Sequence, residues 1–170
     1  MILKHPTNPL HIAIAAFLLA VAVATIATAW GYQLIAGAQP CKLCYAERWP
    51  YYLGIPTMLM ATIAAYRGWP AAITRGLFLI FALLMIYGFG LSLYHAGAEA
   101  GFWPGPADCS GDIASTTRSA ADLLSQMQAT KVVSCTEVTV RIFGLSLAAW
   151  NTVASAGLAV IALFAAFTRR

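Results

Sequence analysis

A chain of 170 residues that is 61% hydrophobic and 9% charged, with a mean hydropathy of +0.75, carries too much apolar surface for a soluble core of its size. It is also the reverse of the polar, charged composition that keeps a chain disordered. Lipid is the solvent that fits, and the net charge of +4 does not point to nucleic acid. Lys and Arg are scattered singly apart from Arg169-Arg170, as span-end anchors are and a basic stripe is not.

A hydrocarbon core of about 30 Å needs roughly 20 apolar residues per helical span. Four apolar runs meet that need, at about 11–35, 49–66, 71–94 and 145–167. The first has no charge between Lys4 and Lys42. Ala36-Gly37-Ala38 behind it resembles a leader cleavage site, but a leader has a shorter apolar stretch. The second ends in the turn Arg67-Gly68-Trp69-Pro70 and contains Pro56, which should kink it. The third runs uncharged from Leu77 to Tyr94, and the fourth stops before Arg169 and Arg170. Alanines in the first run, and Gly88, Gly90 and Ser92 in the third, permit close helix approach. The expected fold is an all-α membrane protein, one integral domain over 1–170. It is a four-helix transmembrane bundle with loops at about 36–48 and 95–144, the longer between the third and fourth helices.

An even number of spans places both termini on one side with the 67–70 turn. That side holds Lys4, Arg67, Arg75, Arg169 and Arg170 in short segments, without an acid. The other holds Lys42, Arg48, Arg118, Lys131 and Arg141 with all the acids, mostly in the long loop. Density in short segments sets orientation, so the termini are expected to be cytoplasmic. Cys41, Cys44, Cys109 and Cys135 then all face an oxidising exterior or periplasm, where disulfides persist.

Zinc is disfavoured for this set, because there is one short-spaced cysteine pair and no suitable histidine pair. Two static disulfides are a second reading. On the chain-entropy model, closing the loop from Cys109 to Cys135 stabilises by roughly 3.6 kcal/mol and closing Cys41 to Cys44 by only about 1.9 kcal/mol. The short pair therefore has less structural reason to exist, and Cys-x-x-Cys is the spacing that lowers thiol pKa and permits exchange. It lies where a loop enters the second span, in Pro40-Cys41-Lys42-Leu43-Cys44-Tyr45-Ala46-Glu47-Arg48. A helix already formed at Leu43 would put Cys44 and Arg48 on one face, with the guanidinium favouring a Cys44 thiolate. Pro50 opposes so early a start, and Arg48 alone reads as an interfacial anchor. Lys42 beside the thiols should raise the potential of the pair.

Pro-Cys-x-x-Cys followed by Glu47-Arg48 after a first span, a second cysteine pair in a long loop before the fourth, and cationic termini resemble the bacterial DsbB family of quinone-dependent disulfide oxidases. Tyr94-His95 closing the third span and Phe143-Gly144-Leu145 opening the fourth add to the likeness, which covers essentially the whole chain. The resemblance implies an inner-membrane thiol:quinone oxidoreductase that reoxidises a periplasmic thioredoxin-fold, DsbA-like oxidase. In that scheme the partner attacks a Cys109/Cys135 disulfide at Cys109, and Cys135 then attacks Cys41. Cys44 passes the electrons to ubiquinone or menaquinone, with Arg48 polarising a quinone oxygen; His95 is a second candidate for quinone binding. No metal and no nucleic acid enter it.

His95 taken alone is an interfacial polar group, and Ser119–Ala129 is a loop helix or one lying on the membrane. The segment from Thr136 to Arg141 lacks a tryptophan that some relatives carry before the fourth span. A vitamin-K-epoxide-reductase-like enzyme shares the four-helix plan but needs its Cys-x-x-Cys in the last span, which here has no cysteine. The alternative outside enzymes is a membrane scaffold with two static disulfides. Orientation is testable directly. Single thiols at Thr7 or Thr168 should resist an impermeant alkylating reagent in intact cells while one at Ser115 reacts, and labelling at the termini alone would reverse the topology.

Overall fold

The computed structural model describes residues 9–35, 37, 40–105, 136 and 141–168. Cys109, Cys135 and the Ser119–Ala129 segment lie outside the described residues. The elements in chain order are α1 (Pro9–Leu34), α2 (Lys42–Ala46), α3 (Trp49–Tyr66), α4 (Ala71–Glu99), β1 (Arg141–Ile142), β2 (Leu145–Ser146) and α5 (Leu147–Phe167).

Three helices, α1, α4 and α5, are long and apolar enough to cross a membrane. The expected second run is present as the continuous helix α3, which passes through Pro56. It is less apolar than the others because Trp49, Pro50, Tyr51, Tyr52, Pro56 and Tyr66 dilute it. Two boundaries differ from expectation. The third helix does not end at Tyr94 but continues to Glu99, because Ala96-Gly97-Ala98 contains no breaker and the chain first turns at Gly101, where φ is +77°. His95 is therefore a helical residue and not the first of a loop. At the fourth run, Leu145 and Ser146 pair antiparallel with Ile142 and Arg141 before the helix starts. Phe143 and Gly144, both at positive φ, make the two-residue turn whose twist suits such a ribbon. Trp150 Nε1 donates to Ile142 O at 3.0 Å and fastens the ribbon to α5, and the Ser146 hydroxyl caps α5 by accepting from Ala149 N.

The bundle is built on α4, which packs along α5 and α3, while α1 lies mainly against α3. Its centre joins Leu18 and Ala22 of α1, Met58 and Ala61 of α3, Phe78, Phe81 and Met85 of α4, and Leu158 and Ala162 of α5. Large apolar residues such as Phe17, Leu83, Tyr87, Val160 and Phe164 point outward. Small residues face inward, the arrangement of a bundle solvated by lipid. A Cβ on Gly54 would sit 2.9 Å from the Phe81 ring, and one on Gly88 would sit 3.3 Å from Pro50. These two glycines set how closely α3 approaches α4. Gly90, expected to do the same, faces open space.

The two ends of the bundle differ. At one, His11 Nε2 lies 3.2 Å from Ala165 O and Arg75 donates to Thr168 O, so the start of α1, the α3–α4 turn and the end of α5 gather there. The opposite end brings together the end of α1, α2, the start of α3, the end of α4 and the start of α5. Gly54→Val should lower stability in detergent by about 1–3 kcal/mol through overpacking against Phe81. Gly90→Ala should leave it unchanged or raised. Thermal unfolding of the two variants checks the assignment, and equal effects would refute it.

Candidate functional site

Cys41 ends the extended chain before α2 and caps that helix, its sulfur accepting the backbone N–H of Cys44 at 3.2 Å. A single turn of helix thus folds Cys-x-x-Cys back on itself. The two sulfurs lie 2.9 Å apart as free thiols. They are not equivalent, since Cys41 is buried while Cys44 is half-buried and forms part of a cavity wall.

His95 arrives from α4 with Nε2 3.7 Å from Cys41 Sγ. Its other nitrogen, Nδ1, donates to Glu47 Oε1 at 2.6 Å. Glu47 is buried between α2 and α3, and its second oxygen accepts from Asn151 Nδ2 of α5 at 2.8 Å. Tyr51 OH completes the chain by donating to Asn151 Oδ1 at 2.7 Å. Glu99, one turn after His95, places Oε1 3.8 Å from Nε2. Cys41, Cys44 and His95 stand close enough together to ligate one metal ion.

Electrostatics separates the two thiols. The Cys44 S–H donating to it is the largest influence holding Cys41 down at about 4; burial opposes this, while His95 and the Cys44 backbone N–H reinforce it. Cys44 is pushed upward, first by its role as donor to Cys41 and then by burial and the charge beside it. The thiolate therefore resides on Cys41, opposite to the expectation of an arginine-stabilised Cys44 thiolate. The reason is local geometry, because α2 stops at Ala46 and Glu47-Arg48 form a turn. Arg48 does not extend the Cys44 face. Its Nη1 donates to Gln33 Oε1 at 2.8 Å, and its guanidinium lies over the rings of Tyr45 and Trp30, at 5.1 and 5.6 Å.

The cavity has a volume of about 500 Å³. Val21, Ala24, Thr25 and Ala29 of α1 and Leu147, Ala148 and Ala154 of α5 give it apolar walls. Cys44, Arg48, His95, Gln33, Glu47 and Asn151 converge on it as polar groups. The structure thus brings Cys41, Cys44, Arg48 and His95 to one end of the bundle, while Cys109 and Cys135 lie outside the described residues.

Sequence reasoning passed over Gln33, Tyr51, Glu99 and Asn151, and it gave Glu47 no contact. The available signal was an amide or carboxyl group within an otherwise apolar run, which lipid tolerates only when it is paired or functional.

Apolar helices suited to lipid, joined to a Cys-x-x-Cys whose first sulfur is held well below the usual thiol range, point to a helical membrane protein of thiol–disulfide chemistry. The chain belongs to the DsbB family, disulfide bond formation protein DsbB, whose model matches residues 11–165. With that family it is an oxidoreductase of disulfide bond formation. An uncharacterized protein of Rickettsia prowazekii (strain Madrid E) is 26% identical over 135 residues, 79% of this chain and 75% of that one. No solved structure matches the chain.

A titration tests the asymmetry of the pair. In a full-length chain with Cys109→Ser and Cys135→Ser, reduced and in detergent, ultraviolet thiolate absorbance should rise once with a midpoint near pH 4. A lowered pKa means that the thiolate is present above that pH and lost below it, with no second step at neutral pH. Cys44→Ala should move the midpoint upward by removing the donor. Two steps near the ordinary thiol range would overturn the assignment.

Proposed function

We propose that this protein is a thiol:quinone oxidoreductase of the bacterial inner membrane. Both termini are cytoplasmic, the cysteine loops are periplasmic, and α3 serves as a fourth span. It reoxidises a DsbA-like thioredoxin-fold partner. The observation that carries the reading is that Cys44, and not Cys41, lines an apolar cavity bounded by α1 and α5 and shared with Arg48 and His95. A lipid-soluble ring has the size and polarity for such a cavity, and a soluble protein does not.

The steps follow from what each sulfur can reach. A reduced partner attacks the Cys109/Cys135 disulfide at Cys109, releasing Cys135 as a thiolate. Cys135 attacks Cys41 of the oxidised Cys41/Cys44 pair, and Cys44 leaves as the second thiolate. While Cys41 is held in that disulfide it carries no charge, so the main cause that raises Cys44 is removed, which favours the thiolate as which Cys44 leaves. The partner's second thiol displaces Cys109 and closes the partner's disulfide, and Cys109 then displaces Cys41 from Cys135, which restores the Cys109/Cys135 disulfide and leaves Cys41 and Cys44 as the reduced pair. Closing the Cys41/Cys44 disulfide releases two electrons and two protons, which bound ubiquinone or menaquinone would take up. Arg48 supplies a fixed charge and planar donors at the cavity wall, and His95 supplies a ring N–H at its edge.

Two measurements test this. Detergent-solubilised protein mixed with a reduced thioredoxin-fold oxidase should consume quinone catalytically, and a flat absorbance trace would favour a scaffold with static disulfides. Removing one charge-assisted hydrogen bond of about 1.5–3 kcal/mol should weaken quinone binding by roughly 10- to 150-fold. Arg48→His should therefore raise the quinone KM strongly and Arg48→Lys by an intermediate amount, with partner KM unchanged. Variants that lose stability at an unaltered quinone KM would make Arg48 a structural anchor only. The order of exchange has its own readout. Mixed with the oxidised partner, Cys135→Ala should accumulate a mixed disulfide in which the Cys109 thiol has displaced one sulfur of the partner's disulfide, and an adduct at Cys41 or Cys44 would reverse the order.

A further inference from the structure

Spacing along the chain argues against zinc, because it shows one short cysteine pair and no histidine pair. The fold supplies the missing ligand from α4, 54 positions after Cys41. Cys41 Sγ, Cys44 Sγ and His95 Nε2 all lie within 4.8 Å of one another. We propose that the reduced pair and His95 form a site for one soft divalent cation of the zinc type, and that this cation locks the pair in its reduced state.

Three observations carry the proposal. The first is distance. Around a tetrahedral zinc ion, with Zn–S about 2.3 Å and Zn–N about 2.0–2.1 Å, a sulfur and a nitrogen ligand stand roughly 3.6 Å apart and two sulfurs about 3.8 Å. Cys41 Sγ and His95 Nε2 are already at 3.7 Å. The sulfurs, at 2.9 Å, must part by about 0.9 Å to match. Rotation of the half-buried Cys44 side chain over the cavity provides that room.

The second is the setting of the histidine. Nδ1 donates to Glu47 Oε1 at 2.6 Å, so when the proton shared with Cys41 leaves, the lone pair falls on Nε2, on the side of the sulfurs. Asn151 in turn pins the second Glu47 oxygen at 2.8 Å. A carboxylate behind the far nitrogen is the support that metal-ligating histidines carry, since it fixes the tautomer and raises ligand basicity.

The third is Glu99, whose Oε1 lies 3.8 Å from His95 Nε2. Its Oε2 is buried and finds no hydrogen-bond partner among the described residues. That oxygen is available as a fourth ligand or as the acceptor for a metal-bound water.

Two thiolates and an imidazole select zinc-like cations over magnesium or calcium. The ligands bind deprotonated, so the proton shared between Cys41 and His95 and the Cys44 proton leave to water. A disulfide has no thiolate to offer, so the site exists only in the reduced state. Once filled, it engages both sulfurs and prevents the disulfide from closing. That consequence rests on the redox role proposed above; the binding does not.

The test uses the full-length chain with Cys109→Ser and Cys135→Ser in quinone-free detergent, with no partner present. Failure of metal binding is then distinct from failure of electron transfer. Reduced protein should bind one equivalent of Zn2+ in a chelator competition and become protected from thiol alkylation. Co2+ in its place should give the sulfur-to-metal charge-transfer and tetrahedral ligand-field absorption of a thiolate site. The disulfide form should bind neither ion. His95→Ala should weaken Zn2+ binding at least 10-fold, and Glu47→Gln by roughly 10- to 100-fold through loss of the supporting carboxylate. His95→Gln, which keeps a polar side chain on α4, replaces His95→Ala should the latter lose its helical circular dichroism. The proposal is overturned by absence of binding to the reduced chain, by equal binding to the disulfide form, or by undiminished affinity in the folded His95 variant.

Discussion

A buried carboxyl group at the edge of a lipid-solvated bundle is the constraint on which this site depends. Glu47 is withdrawn from solvent and uses both oxygens, one for His95 on α4 and one for Asn151 on α5. Leaving such a group without partners costs several kcal/mol, so the three elements that meet at Glu47 cannot drift apart independently. Tyr51 extends the tie into α3 through Asn151. The position of His95 against Cys41, and with it the charge on that sulfur, follows from where Glu47 is held.

The bundle beneath is organised to leave this end open. Small residues inside α1 and α5, with Gly54 and Gly88 at the α3 contacts, let the helices approach closely over most of their length. At the site the walls are again alanines and short side chains, and a cavity of about 500 Å³ remains between α1 and α5. Trp30 and Tyr45 flank the Arg48 guanidinium there, which keeps a permanent charge at a boundary where it would otherwise turn toward water.

The inequivalence of two cysteines three residues apart comes from this asymmetry. One turn of helix places the Cys41 sulfur at the N-terminus of α2, where it caps a backbone N–H and meets His95, while Cys44 is turned to the cavity. A longer helix would have aligned Cys44 with Arg48 and given the opposite polarity. The break after Ala46, with Pro50 following at the start of α3, is what prevents it.

The sequence by itself determined that the chain is helical and solvated by lipid, because the length and apolarity of α1, α4 and α5 leave the backbone no other way to satisfy itself in hydrocarbon. It also singled out Cys41, Cys44 and Arg48 as candidates, since spacing within a short segment is a local property. It misplaced the end of α4 by letting Tyr94 close a span, when no helix breaker occurs before Gly101. It did not anticipate the β1–β2 ribbon, which depends on Phe143 accepting a positive φ. Tertiary structure alone decided which sulfur carries the charge, because that depends on His95, Glu47 and Asn151, residues on separate helices whose separations in sequence say nothing of their meeting. The same holds for the cavity and for the third metal-type ligand beside the cysteine pair. Each is a relation between the ends of elements far apart in the chain, and only packing of the helices brings those ends together.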